Sequence, residues 1–296
     1  MRVFVTGASG GIGSAVVPEL ISAGHEVLGL ARSDRSAAVV EAAGAAVLRG
    51  SMDDAGILSA GARQSDGVIH LAFSNDFTNF EKGIAEERFA IDALGAALVE
   101  TGKPFVIASG TPGVAGRASI ESDPAVTEGP VGGRGRNAQA VLDLAQKGVR
   151  SAVVRLPRSV HERQVAYGFA SMLIAAAQRT GVSGYIGDGS QRWPAVHRRD
   201  AATLFRLMIE QADPGTVVHA VADEGDAMRT LAEIIGRQLD VPTEPVAAET
   251  FGFLGAVFAV DQPSSSAWTR ERFGWQPTHP SLIDDLEAGD YPAITR

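Results

Sequence analysis

The chain opens on Val3-Phe4-Val5-Thr6-Gly7-Ala8-Ser9-Gly10-Gly11-Ile12-Gly13, and the spacing of Gly7, Gly10 and Gly13 constrains its fold more than any other feature. The apolar run before the glycines reads as a strand, and Ser14–Ala23 after them reads as an amphipathic helix. Each glycine has a task in such a strand-turn-helix. Gly7 lets the strand turn sharply, Gly10 lets backbone approach a bound phosphate, and Gly13 lets the helix lie close to the sheet. The turn aims backbone N–H groups and the positive end of a helix at an anion. Ser9, Gly11 and Ile12 share that turn and count with the glycines as candidate contacts.

The first half of the chain continues in the same rhythm. Short apolar runs at Val3–Val5, Glu26–Leu30, Ala46–Leu48, Gly67–Leu71, Phe105–Ala108 and Ser151–Leu156 alternate with helical stretches. Alternating β and α units predict a parallel sheet. A strand as continuously apolar as Val68-Ile69-His70-Leu71-Ala72 fits a sheet covered on both faces. The expected class is therefore α/β, a Rossmann-type doubly wound parallel sheet, with a smaller, partly helical C-terminal substrate lobe. The expected boundaries are residues 1–157 for the dinucleotide-binding domain, with the sheet completed by about 196–221, and 158–195 plus 222–296 for the lobe. Helices are expected around Phe169–Thr180, Arg199–Gln211 and Arg229–Leu239, and a further strand at Thr216–Val221. Thr111–Arg136, rich in Gly and Pro, reads as a long loop.

Composition excludes several classes. The chain has 296 residues, no cysteine and six histidines without HxxxH spacing, which argues against disulfides, thiolate chemistry and a zinc site, so no metal is expected. A net charge of −9 does not support a basic nucleic-acid surface. Met1–Val5 enters a strand rather than a signal peptide, and no uncharged run reaches the ~18 residues of a membrane span. The expectation is a cytoplasmic chain without nucleic-acid or membrane partners, acting on a small molecule.

In a β-α-β context the glycine turn predicts a dinucleotide. The second strand ends Leu28-Gly29-Leu30-Ala31-Arg32-Ser33-Asp34. Arg32 and Ser33 stand where an NAD-binding domain presents a carboxylate to the adenosine ribose, and a guanidinium with a hydroxyl suits a 2′-phosphate instead. NADP is favoured over NAD, with Arg35 a second cationic contact. Asp34 leaves open a ribose acid displaced by a residue or two.

The spacing TGxxGxxG, the strand ends Val68–Ala72 and Val106-Ile107-Ala108-Ser109, and Val154-Arg155-Leu156-Pro157 form an ordered series of motifs. Val196-His197-Arg198-Arg199-Asp200-Ala201-Ala202 and Phe273-Gly274-Trp275-Gln276-Pro277 extend it. The series resembles the extended short-chain dehydrogenase/reductases, the epimerase/dehydratase-like group. The resemblance implies that Ser51 and Met52 flank the adenine, with no acid at that place. It also implies that Leu71, Ala72 and Phe73 pass beneath the nicotinamide-side ribose, that Pro157 flanks the nicotinamide, and that the protein forms a homodimer through two packed helices.

The same resemblance implies a Tyr-Lys pair four residues apart on a helix, working with a Ser or Thr after the fifth strand. The hydroxyl is present as Thr111, with Ser109 its neighbour. The pair is absent: none of Tyr167, Tyr185 and Tyr291 has Lys four residues on, and Gly133 and Asn137 align with the missing side chains. Arg134 and Arg136 remain nearby, but a guanidinium does not act as a base at neutral pH. This pattern resembles the atypical branch of the short-chain dehydrogenase/reductases. In the lobe, His161, Tyr167 and His197 are candidate proton donors, and Trp193 and His197 candidate substrate contacts. Asp200 reads as a helix cap or as a partner of Arg198 and Arg199.

Three functions fit these residues. The first is an NADP-dependent oxidoreductase acting on a small carbonyl or alcohol with a non-standard proton donor. The second is a noncatalytic NADP-binding sensor or partner-binding protein. The third is a nucleotide-sugar epimerase or dehydratase.

Overall fold

The computed structural model describes residues 1–74, 79–129 and 131–290. In chain order its elements are β1 (Arg2–Thr6), α1 (Gly13–Ser22), β2 (Glu26–Ala31), α2 (Asp34–Ala42), β3 (Ala46–Arg49), α3 (Ala55–Arg63), β4 (Gly67–His70), α4 (Phe80–Leu98), β5 (Pro104–Gly110), α5 (Gly132–Leu142) and β6 (Arg150–Leu156). There follow β7 (Ser159–His161), α6 (Gly168–Thr180), β8 (Ser183–Ile186), β9 (Arg192–His197), α7 (Arg198–Gln211), β10 (Thr216–His219), β11 (Asp223–Ala227), α8 (Met228–Leu239), β12 (Thr243–Val246), α9 (Gly255–Phe258), α10 (Ala267–Phe273) and α11 (Leu282–Ala288). The expected strands and helices are all present within a few residues.

Seven strands form one sheet in the order β10-β6-β5-β4-β1-β2-β3. β1 pairs in parallel with β2 and β4, as do β2 with β3 and β4 with β5. The chain winds outward from β1 to β3, then crosses to β4 and winds the other way. That reversal makes the carboxyl ends of β1 and β4 the topological switch point, where α/β sheets of this kind take their ligands.

The chain forms two compact units. The first is Met1–Gly110, Pro124–Arg155 and Ala201–Val218; the second is Thr111–Asp123, Leu156–Asp200 and His219–Arg296. In the first, Phe4, Leu58, Val68, Ile91, Leu94, Phe105, Val141 and Val153 form a continuous buried cluster beneath the helices. Burying each such side chain contributes roughly 1.5–3 kcal/mol.

The second unit carries a three-stranded sheet, β11-β9-β7, and a two-stranded one, β12-β8. α8 buries Met228, Leu231, Ala232 and Ile235, the i, i+3, i+4, i+7 stripe of an amphipathic helix. α6 stops at Gly181, which takes the left-handed conformation that ends many helices.

One expectation fails. The loop assigned to Thr111–Arg136 ends earlier, because Gly132-Gly133-Arg134-Gly135-Arg136 is already helical. Glycine disfavours a helix locally by about 1 kcal/mol each, but here the missing β-carbons allow close packing. A Cβ on Gly135 would lie 2.0 Å from the carbonyl oxygen of Val126. Among the described residues no helix is long and apolar enough to cross a membrane.

Candidate functional site

In the first unit, the turn after β1 has the geometry its spacing predicts. Gly7 has φ +68°, and a Cβ there would lie 2.7 Å from the backbone nitrogen of Ala72. A Cβ on Gly13 would lie 2.1 Å from the carbonyl oxygen of Gly7. The Gly10 N–H donates to that oxygen at 2.9 Å, closing the turn. α1 begins with no side-chain cap and no acid in its first turn, so no carboxylate of that turn competes with an anion for its positive end. These residues fit the pyrophosphate of a dinucleotide.

At the ends of β2 and β3 lie the residues assigned to the adenosine. Arg32 is exposed with no partner among the described residues. Ser33 is the N-cap of α2: its Oγ accepts from the Ser36 N–H at 3.2 Å in a capping box. Asp34 is paired with Arg49, Nη2 to Oδ1 2.7 Å. Arg49, which ends β3, is a cation that the sequence reading had not singled out. Ser51 and Met52 are half-buried just beyond it.

At the end of β4, His70 Nδ1 lies 2.7 Å from Thr6 Oγ1, and that hydroxyl accepts from the Ala72 N–H at 3.3 Å. Burial holds the His70 imidazole down to about 4, so the ring is neutral at physiological pH. Leu71, Ala72 and Phe73 follow, all half-buried. Beside them Arg134 donates to Glu87 Oε1 at 2.8 Å and to the Ala108 carbonyl at 3.0 Å. Its guanidinium lies 4.2 Å from the centroid of the Phe73 ring.

Position 133, which the resemblance aligns with the tyrosine, lies against Ile84 of α4. A Cβ on Gly133 would lie 2.6 Å from Cγ2 of Ile84. Asn137, which the resemblance aligns with the lysine, donates to the Ile84 carbonyl at 3.0 Å and to Glu87 Oε2 at 2.8 Å. Both positions are spent on joining α5 to α4. Ser109, at the end of β5, is buried.

The second unit holds the remaining candidates. Thr111 is buried, and its N–H donates to the Leu156 carbonyl at 3.0 Å. Its own carbonyl accepts from Gln262 Nε2, which also lies 3.4 Å from Thr111 Oγ1. Gln262 Oε1 in turn accepts from Arg158, the residue after Pro157. Pro157 itself is buried. Burial pushes Arg158 down to about 10.

His161 is enclosed, with Nδ1 2.7 Å from an Asp285 oxygen and Nε2 buried without a partner. Tyr167 is half-buried at the N-cap of α6. Trp193 is fully buried, its ring 4.8 Å from that of Phe258 and its Nε1 donating to the Phe258 carbonyl. His197 is held down to about 4 by burial and by His161 and His279.

Asp200 meets neither of the arginines the sequence offered it. Arg198 and Arg199 both pair with Glu162, Arg199 Nε at 2.8 Å. Asp200 instead accepts from the Thr278 and His279 N–H groups and from His279 Nδ1 at 2.8 Å, pinning the C-terminal segment. Donor atoms of His197, Asp200 and His279 all lie within 4.8 Å of one another. The two imidazoles are stacked at 4.6 Å with planes 7° apart. An ion must lie near the plane of each ring that binds it, so this stack does not converge on one metal.

The model of the NAD dependent epimerase/dehydratase family matches residues 3–221 of this chain. The chain belongs to that family. An uncharacterized protein of Schizosaccharomyces pombe is 41% identical over 98% of the chain and 100% of its own length. An uncharacterized protein of Saccharomyces cerevisiae is 42% identical over 97% and 98%. Among solved structures, the Thermotoga maritima UDP-glucose 4-epimerase with UDP-glucose superposes with TM-score 0.78 at 19% identity, covering 97% of this chain and 96% of that one. The Streptomyces venezuelae dTDP-glucose 4,6-dehydratase with NAD bound gives TM-score 0.76 at 19% identity over 97% and 95%. The expected resemblance to the extended short-chain dehydrogenase/reductases is thereby met, and this epimerase/dehydratase family member carries the NAD-binding fold of that superfamily.

Four residues with strong geometry, His70, Glu87, Arg158 and Gln262, were not singled out by sequence. For Arg158 a signal existed: a lone charge within the apolar run Leu156-Pro157-Arg158-Ser159-Val160. Gln262 carried none, because its partners are 104 and 151 residues away.

Proposed function

We propose that the chain is an NADP-dependent oxidoreductase that interconverts a small carbonyl compound and its alcohol. The carrying observation is the Asp34–Arg49 ion pair. The acid that would hold a ribose diol is engaged by a guanidinium, and Arg32 stands exposed beside it with Arg35. Arg32, Arg35 and Arg49 against the one acid Asp34 leave two positive charges for a 2′-phosphate, an arrangement that favours NADP over NAD. The glycine turn holds the pyrophosphate. Leu71 to Phe73 flank the nicotinamide end.

When bound, the cofactor supplies or takes up a hydride. The Thr111 hydroxyl orients the substrate oxygen. Tyr167 is the proton donor: of the three candidates it is the least enclosed, whereas His161 and His197 are almost wholly buried. The test is NADPH consumption against a panel of aldehydes, ketones, quinones and imines, beside NADPH and NADH affinities. Turnover with NADPH preferred is the expected result. Tight NADPH binding with no turnover would remove the oxidoreductase reading.

That outcome would favour the second reading, a noncatalytic NADP-binding protein, which draws on Ile84 filling the place of the tyrosine. Nucleotide-sugar epimerase or dehydratase chemistry ranks below both, since it leans on that same tyrosine.

A further inference from the structure

Arg158 is a buried cation without a counter-ion. It is 8% exposed and makes no carboxylate pair among the described residues. Its guanidinium donates to the Val257 carbonyl and to Gln262 Oε1, both neutral, and lies 5.3 Å from the centroid of a Trp193 ring. Among the described residues Asp261 is the one acid whose field reaches it. That carboxylate is already claimed by Arg192, through Nε at 3.1 Å, Nη2 at 2.8 Å and the backbone N–H at 2.7 Å. Two guanidiniums therefore share one carboxylate, and one positive charge is left over.

Fixing the segment around residues 257–262 needs hydrogen-bond donors but no charge. Burying an unpaired charge is costly, and ionisable groups perturbed in this way cluster at functional sites. A guanidinium has five N–H donors in a planar fork, and the protein engages Arg158 at two acceptors. The fork matches a carboxylate edge. Through the two ends of one side-chain amide, Gln262 links it to Thr111. Beside it, Phe169, Phe251 and Trp193 pack around the ring of Phe258 at 4.8–5.4 Å.

We propose that Arg158 binds a carboxylate of the substrate, so that the substrate is a small oxo or hydroxy acid. The assignment to substrate rests on the reading that Thr111 orients the reacting oxygen. One surplus positive charge balances a carboxylate; a diphosphate would leave a buried negative charge uncompensated.

The test is calorimetric titration of the full chain with benzoate, benzamide and UDP, with and without NADP. Benzoate should bind at least ten-fold more tightly than benzamide, and Arg158→Gln should abolish that difference. Equal binding of the two by the wild-type protein overturns the proposal, and this comparison needs no variant to fold. A benzoate preference that survives in Arg158→Gln overturns it too. So does Arg158-dependent binding of UDP tighter than that of benzoate. A benzoate preference in a protein that binds neither NADP nor NADPH would sustain the anion site while removing the cofactor reading.

Discussion

Ile84 of α4 occupies the space that a side chain at position 133 of α5 would need: a Cβ on Gly133 would lie 2.6 Å from its Cγ2 and 2.9 Å from its Cδ1. A tyrosine there would have to displace the Ile84 side chain. Gly133→Ala is expected to cost about 1–3 kcal/mol by overpacking, read by chemical denaturation. Gly133→Tyr with Asn137→Lys should be destabilised further and gain no reductase activity. If the double variant is as stable as wild type, the two helices are not sealed as described.

Gly13 is the tightest contact of the phosphate turn. With its β-carbon 2.1 Å from the Gly7 carbonyl oxygen, Gly13→Ala must push α1 away from β1. NADPH affinity should fall at least ten-fold, measured by fluorescence titration, while the far-ultraviolet circular dichroism stays near wild type. Unchanged affinity would place the pyrophosphate elsewhere.

At the adenosine end, Arg32→Ala removes a charge-assisted contact of about 1.5–3 kcal/mol to a 2′-phosphate. NADPH binding should weaken by roughly 10- to 150-fold, with NADH affinity little changed. Asp34→Asn should leave NADPH binding intact or improve it. An equal loss for both cofactors in Arg32→Ala would show that the arginine does not read the phosphate.

Asp226 and His197 act in opposite senses on stability. Burial, then the field of Asp223, raises Asp226 to about 6 from an ordinary value of 3.8, and its Oδ2 is buried without a partner. The folded protein therefore binds that proton more readily, so Asp226 contributes stability as pH falls from about 6 toward 4 and penalises it at pH 7. His197, held down to about 4, does the reverse: its neutral ring loses stability as pH falls from 6.5 to 4. Asp226→Asn should raise the melting temperature at pH 7.5, by the equivalent of about 1–2 kcal/mol after allowing for its partial exposure. The gain should vanish near pH 4. His197→Gln should flatten the loss of stability between pH 6.5 and 4.5. A melting temperature for Asp226→Asn equal to wild type at pH 7.5 would show that the acid carries no burial penalty.

Sequence alone was enough for the glycine turn, the alternation of strands and helices and the absence of a Tyr-Lys pair. Each is a local pattern, set by spacing within about a dozen residues, where sterics and periodicity act without help from the rest of the chain. At Gly132–Arg136 composition read as a loop, and it was the resemblance to the family that placed a helix there from Gly133, as the fold has it. The helix forms through close approach to segments such as Ile84, 49 residues before Gly133.

The chemistry beyond the turn belongs to the tertiary structure. Sequence offered Asp200 the neighbouring Arg198 and Arg199, but folding brings it His279 and gives both arginines to Glu162. It left Thr111 a lone hydroxyl, whereas folding ties it through Gln262 to a buried arginine. Burial and charge pairing depend on which distant segments meet, and neither is written in the spacing of neighbouring residues.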